Sequence, residues 1–176
     1  MKKIKNIRLG ILGGTFDPAH KGHLKISYEA KKLLNLSEVI WVITKKNPLK
    51  KKSFYSLNSR MKFAKKLVLK KKYIKVKFVE NKINSNKTID LIKFFKKNNK
   101  FKDLYFLMGA DSLINFHKWY KWSKILENCK IIVFDRQSYK SRSLKSVAFK
   151  KYGNKGINFI TFKKVNISSS KLRKIW

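Results

Sequence analysis

Two hydrophobic periods alternate along the chain. Ile7 to Leu12 is a short apolar run closed by Gly13-Gly14, the pattern of a buried strand entering a tight turn. From His20 the period lengthens, so that Ile26, Ala30, Leu33 and Leu34 share one helical face. Val39 to Ile43 is a second apolar run, Pro48 marks the loop behind it, and Leu57, Met61, Ala64 and Val68 return to helical spacing. Ile74, Val76 and Phe78 alternate with Lys75 and Lys77, as in a half-exposed strand. Thr88 is placed to cap a helix carrying Leu91, Ile92 and Phe95. Leu104 to Met108 and Lys130 to Phe134 read as two more strands around a helical WYKWSKILEN segment. Ile157 to Phe162 reads as a last strand and Ser168 as the cap of a short final helix. The polar stretch from Gln137 to Gly156 is expected to be an irregular surface excursion.

Strands that alternate with helices predict an open, mostly parallel sheet with helices on both faces, in the α/β class. With no internal repeat and no linker, residues 1–176 are read as one domain. In such folds ligands bind beyond the carboxyl ends of the strands, where the strand order reverses.

Composition narrows the picture. An apolar share of 43% supplies a core, so disorder is not expected. No apolar stretch approaches the roughly 20 residues of a spanning helix, and the start MKKIKNIRLG lacks the long apolar region of a signal peptide. The lone Cys129 excludes an internal disulfide and a cysteine-cluster metal site, which fits a reduced, cytoplasmic setting. The formal charge of +36 raises the possibility of a polyanion partner. Yet Arg8, Arg60, Arg136, Arg142 and Arg173 are the only arginines among 45 basic residues. A surface built to read phosphates would use more of arginine's bidentate fork. The excess is therefore read as solvated lysine faces, with no specific nucleic acid and no membrane as partner.

Candidate chemistry is concentrated after the first strand, in GGTFDPAHKGH. Gly13 and Gly14 let backbone approach a ligand closely. His20 and His23, three apart, share one face of a helical first turn whose N–H groups and dipole favour an anion. Asp17-Pro18 is expected to shape the turn, the carboxylate bonding nearby backbone. One histidine could simply cap the helix while the other packs on Ile26. Zinc fits less well, because no third ligand is evident and helical metal pairs commonly use i, i+4 spacing. Two imidazoles behind a double glycine favour a phosphate site.

This segment resembles the signature of the HxGH nucleotidylyltransferase superfamily, in the form found in bacterial nicotinate-nucleotide adenylyltransferases. The resemblance implies a Rossmann-like fold and adenylyl transfer from ATP to nicotinate mononucleotide, giving deamido-NAD and pyrophosphate in NAD biosynthesis, with Mg²⁺ carried by ATP and no metal cage in the protein. It implies catalytic roles for His20 and His23, and ATP contacts at Gly13, Gly14, Thr15 and Phe16. Met108-Gly109-Ala110-Asp111-Ser112 resembles the family's GxDS element, which places Gly109, Asp111 and Ser112 at the ATP ribose. The Trp119-Tyr120 pair corresponds to residues that enclose the pyridine ring, and Thr88 to a threonine whose backbone meets the nicotinate carboxylate. Ile167 to Arg173 resembles the phosphate-holding ISSTxIR element, with Ser168, Ser169 and Arg173 matched and Ser170 in place of threonine. Arg136 matches a family arginine after a strand and is assigned with Lys50 to the nicotinate nucleotide. In the loop after the second strand, only Asn47-Pro48 and Lys50 keep the family pattern.

Two other readings compete: a different enzyme of the superfamily, such as a pantetheine-phosphate adenylyltransferase, and a basic nucleic-acid-binding protein on an inactive fold. Trp119-Tyr120 and the long first motif weigh against the former. The full catalytic set weighs against the latter.

Overall fold

The computed structural model describes residues 7–46, 52–97, 101–135, 139–161 and 169–172. Six strands form one sheet: β1 (Ile7–Gly14), β2 (Glu38–Ile43), β3 (Ile74–Lys77), β4 (Phe101–Gly109), β5 (Lys130–Phe134) and β6 (Ile157–Ile160). Their spatial order is β3-β2-β1-β4-β5-β6 and every pairing is parallel, so the expected mostly parallel sheet is parallel throughout. Strand order reverses between β1 and β4, which opens a crevice beyond their carboxyl ends.

Alternate residues of each central strand face opposite layers, and both layers are dry. Leu9, Ile11, Ile40, Val42, Phe106, Ile131 and Val133 pack on one side. There they meet helices α4 (Thr88–Lys96), α5 (Ala110–Ile114), α6 (Trp122–Asn128) and α8 (Val147–Tyr152), through residues such as Ile92, Leu113, Ile125 and Ala148. Leu12, Val39, Trp41, Ile43, Leu107 and Phe134 pack on the other, against α1 (Lys21–Leu34) and α2 (Leu57–Val68). Burial on both faces explains why β1, β2, β4 and β5 read as continuous apolar runs, whereas edge strand β3 alternates. Within β1, Gly10 admits its neighbours: a Cβ there would lie 2.7 Å from Leu36 Cδ1. The remaining helices are short: α3 (Glu80–Ile83), α7 (Lys140–Leu144) and α9 (Ser169–Leu172). Among the described residues no helix is long and apolar enough to cross a membrane.

Three expectations are corrected. Leu33 is 57% exposed, because α1 buries the narrower line of Ser27 and Ala30. Lys87, not Thr88, is the N-cap of α4, and it makes no side-chain capping bond. The segment from Gln137 to Gly156 contains α7, α8 and a 3₁₀ turn at Gly153–Lys155, and Ala148 is fully buried. Its sequence hid this because helices of five and six residues are too short to display a period. Pro48 and Ser168 lie outside the described residues.

Cys129 ends α6 in the core, where burial pushes its thiol up to about 12. The thiolate is the reactive form. The folded protein should therefore leave a thiol-reactive dye such as Ellman's reagent unconsumed at pH 8, and unfolding in guanidinium should release one reacting thiol per chain. Stoichiometric labelling of the native protein would contradict the buried placement.

Candidate active site

The first motif is built on a capping arrangement made by its two histidines. His20 stands in extended backbone as the N-cap of α1, and its Nδ1 accepts a hydrogen bond from the Gly22 N–H at 3.1 Å. His23 Nδ1 accepts in return from the His20 N–H at 3.1 Å. This is a capping box with imidazoles in both roles, satisfying N–H groups that a helix start leaves without intrahelical partners. The capping role and the functional role considered from the sequence are thus compatible. An imidazole that accepts through Nδ1 carries its proton at Nε2, so each ring retains an Nε2–H donor. The ring centroids are 3.9 Å apart.

Behind the histidines lies an aromatic wall that the sequence reading did not identify. Phe16, at φ 48°, places its buried ring 4.6 Å from that of His23 and 5.0 Å from that of Trp41. Trp41 Nε1–H donates to Ser27 Oγ at 2.8 Å, and the Ser27 hydroxyl donates to the His23 carbonyl at 2.9 Å. Gly13 continues the wall, since a Cβ would come 3.3 Å from the Phe106 ring.

Asp17, expected to bond nearby backbone, reaches much farther. The Asp17–Pro18 peptide is cis, and the buried carboxylate accepts from the N–H groups of Phe54 at 2.7 Å and Tyr55 at 2.9 Å. The same region holds Arg60, which is 2% exposed. Its guanidinium donates to the carbonyls of Thr15 (2.6 Å), Thr44 (2.8 Å), Tyr55 (3.1 Å) and Lys45 (3.1 Å). Burial pushes the Arg60 pKa down, while the charges of Asp17 and Glu80 oppose the shift. Burial also raises the Glu80 carboxyl, against the hydrogen bond it accepts from the Lys45 N–H and the charges of Lys45 and Arg60. Arg60 was legible only as an arginine set on the apolar face of α2, three residues after Leu57 and four before Ala64.

The other described motifs converge on the same end of the sheet. Gly109 closes β4 and precedes α5, whose first turn contains Asp111 and Ser112, both half-buried. Ser169, in α9, donates its hydroxyl to the Pro18 carbonyl at 2.9 Å, which joins the last motif to the first across 151 positions. Trp119 packs edge-on to Phe106 and Phe116. Tyr120 is exposed, with the Lys87 ammonium, adjacent in sequence to Thr88, 5.9 Å from its ring centroid. Lys50, Arg136, Ser168 and Arg173 lie outside the described residues. Among the described residues no three His, Cys, Asp or Glu side chains are grouped to hold a metal ion.

A glycine-ended strand, a helix N-terminus capped by two imidazoles and a switch point in the strand order define a Rossmann-like nucleotide-binding architecture. The cytidylyltransferase-like family matches residues 11–175. A "Probable nicotinate-nucleotide adenylyltransferase" of Pelagibacter ubique is 60% identical over 171 residues, covering 97% of this chain and 94% of that protein. One of the same name from Clostridium botulinum is 38% identical, covering 95% and 84%. The solved nicotinic acid mononucleotide adenylyltransferase of Plasmodium falciparum, complexed with NaAD, is similar in fold at a TM-score of 0.73 and 22% identity, covering 96% of this chain and 83% of that one. The chain belongs to the cytidylyltransferase-like family and, within it, to the nicotinate-nucleotide adenylyltransferases.

If Arg60 holds the loops of this site, Arg60→Met should destabilise the protein by about 3–5 kcal/mol, because buried carbonyls and Asp17 lose their cationic partner. Urea denaturation measures this directly, and a loss below about 1 kcal/mol would mean the clamp is dispensable.

Proposed function

We propose that this protein transfers the adenylyl group of ATP to nicotinate mononucleotide, forming deamido-NAD and releasing pyrophosphate. The observation that carries the reading is the paired His20–His23 cap: two Nε2–H donors at a helix N-terminus beside the switch-point crevice. A phosphate oxygen of the mononucleotide attacks the α-phosphorus of ATP, and the bond to the β-phosphate oxygen breaks as pyrophosphate leaves. The attacking phosphate monoester is already anionic, so the step requires no general base. The protein's contribution is alignment and stabilisation of charge on the transferring group.

His20 and His23 donate to the phosphate oxygens around the reacting phosphorus. Gly13, Gly14, Thr15 and Phe16 offer backbone to ATP, Phe16 having its ring buried. Asp111 accepts from ribose hydroxyls, with Gly109 and Ser112 beside it. Ser168, Ser169 and Arg173 take the remaining phosphates, and Ser169 is supported in this by its tie to Pro18. On the acceptor side Trp119 and Tyr120 enclose the pyridine ring, backbone at Thr88 meets its carboxylate, and Lys50 and Arg136 serve the mononucleotide. Mg²⁺ is read as entering with ATP, as part of the MgATP substrate. We place the reaction in the cytoplasm, in keeping with the single reduced, buried cysteine. The lysine excess is read as solvated surface, consistent with the absence of any buried lysine among the described residues.

A pyrophosphate-release assay with ATP and nicotinate mononucleotide, nicotinamide mononucleotide or phosphopantetheine tests the assignment. Turnover should be clearly fastest with nicotinate mononucleotide, and preference for phosphopantetheine would reassign the enzyme within its superfamily.

The two roles of the histidines can be separated. His20→Asn keeps a good N-cap but removes the imidazole, so stability should stay within about 1 kcal/mol while kcat falls roughly 10²-fold. His23→Ala should lower kcat by a similar factor. Near-normal turnover in His20→Asn would reduce His20 to a helix cap.

A further inference from the structure

Tyr120 is the exposed aromatic of the acceptor side, 53% accessible, and it is bracketed by two ammonium groups. Lys87 Nζ lies 5.9 Å from its ring centroid and Lys121 Nζ 5.2 Å, both within cation–π range. They arrive from different parts of the fold: Lys87 is the N-cap of α4, and Lys121 follows Tyr120 in a left-handed turn at φ 49°, just before α6. Their sequence neighbours, Thr88 and Tyr120, are two of the three residues assigned to the pyridine end of the acceptor, Trp119 being the third. The nearby carboxylates have other partners. Asp90 accepts the Ser85 hydroxyl at 2.7 Å, and Glu80 accepts the Lys45 N–H at 3.2 Å. A polar cavity of about 390 Å³ adjoins this cluster, lined by Lys45, Glu80, Asn84, Asn86 and Lys87 among others. Two like charges held on one ring repel each other, and an anion beside that ring relieves the repulsion.

We infer that Lys87 and Lys121 determine substrate specificity by selecting a negatively charged substituent on the pyridine ring, so that the acid is accepted over the amide by charge as well as by hydrogen-bond geometry. This rests on the acceptor assignment above. Backbone N–H donors alone would discriminate in a salt-insensitive way, through unpaired polar atoms. Exposed ammonium groups would add a component that fades with ionic strength, since the Debye length shrinks from roughly 10 Å at 0.1 M salt to about 3 Å at 1 M.

The test is steady-state kinetics of Lys87→Gln, Lys121→Asn and the double variant, asparagine being chosen because it tolerates the left-handed backbone. Each is assayed with nicotinate and with nicotinamide mononucleotide at low and high salt. For two exposed charge pairs, the double variant should raise KM for the acid roughly five- to tenfold. KM for the amide, KM for ATP and kcat should change by less than about twofold, below the effect assigned to the pair. High salt should lower the wild-type preference for the acid over the amide and leave the double variant's acid-to-amide ratio nearly unchanged, since screening of the 5′-phosphate is common to both substrates. Lys87→Arg with Lys121→Arg should restore the wild-type acid-to-amide ratio. The inference is overturned if the double variant keeps the wild-type ratio and salt response, if acid and amide weaken equally, or if kcat falls without a change in KM. Wild-type protein that forms no dinucleotide from nicotinate mononucleotide would instead remove the acceptor assignment itself, an outcome distinguishable before any variant is made.

Discussion

Arg60 is the constraint on which the site's geometry depends. Its buried guanidinium gathers the carbonyls of Thr15, Thr44, Lys45 and Tyr55, which belong to the segments after β1, after β2 and before α2. The first two leave the sheet at its carboxyl edge, just past the last ladder bond, from the Thr44 N–H to the Gly14 carbonyl at 3.0 Å, and the third leads into α2. Asp17 reinforces the joint from the opposite polarity, taking the Phe54 and Tyr55 N–H groups onto its carboxylate. A buried cation is costly to desolvate, and here several polar partners and two carboxylates offset that cost. Lysine could not replace it, because a point charge cannot direct donors to four separated oxygens. This gives a physical role to one of the few arginines in a chain dominated by lysine.

Local structure and chemistry are joined in the histidine pair. Capping consumes Nδ1 of each ring, and the same bonds set the tautomer and orientation that leave Nε2–H as donor. The helix start is therefore held by the same two imidazoles to which the proposed mechanism gives the charge-stabilising role, and their capping bonds fix both rings in place. Phe16 and Trp41 extend this order inward, and Ser27 links the indole to the His23 carbonyl. The positive φ at Phe16 is a local cost. It is tolerated where the ring gains a fully buried aromatic environment.

Much of this was legible in the residue pattern. The apolar runs gave the central strands because both sheet faces are covered, and the helical spacing of α1 and α2 gave the layer above them. The first motif was legible because its chemistry is contiguous: two glycines, two histidines and a strand-to-helix junction within eleven residues. The misreadings came from short or long-range features. The helices α7 and α8 are too brief to show a period, Leu33 lies at the exposed margin of its stripe, and Asp17 finds its partners 37 and 38 residues away.

The sequence by itself determined the class of fold, the alternation of its elements and the family of its chemistry, since each is written in periodicity or in a contiguous motif. Only the tertiary structure decided the sheet order, the reach of Asp17, the clamp of Arg60, the bond from Ser169 to Pro18 and the meeting of Lys87 with Tyr120. Each of these joins residues far apart in the chain through a hydrogen bond, a ring contact or a shared layer. Such pairings depend on how the packed layers bring chain ends and loops together, and no local pattern of side chains encodes that distance.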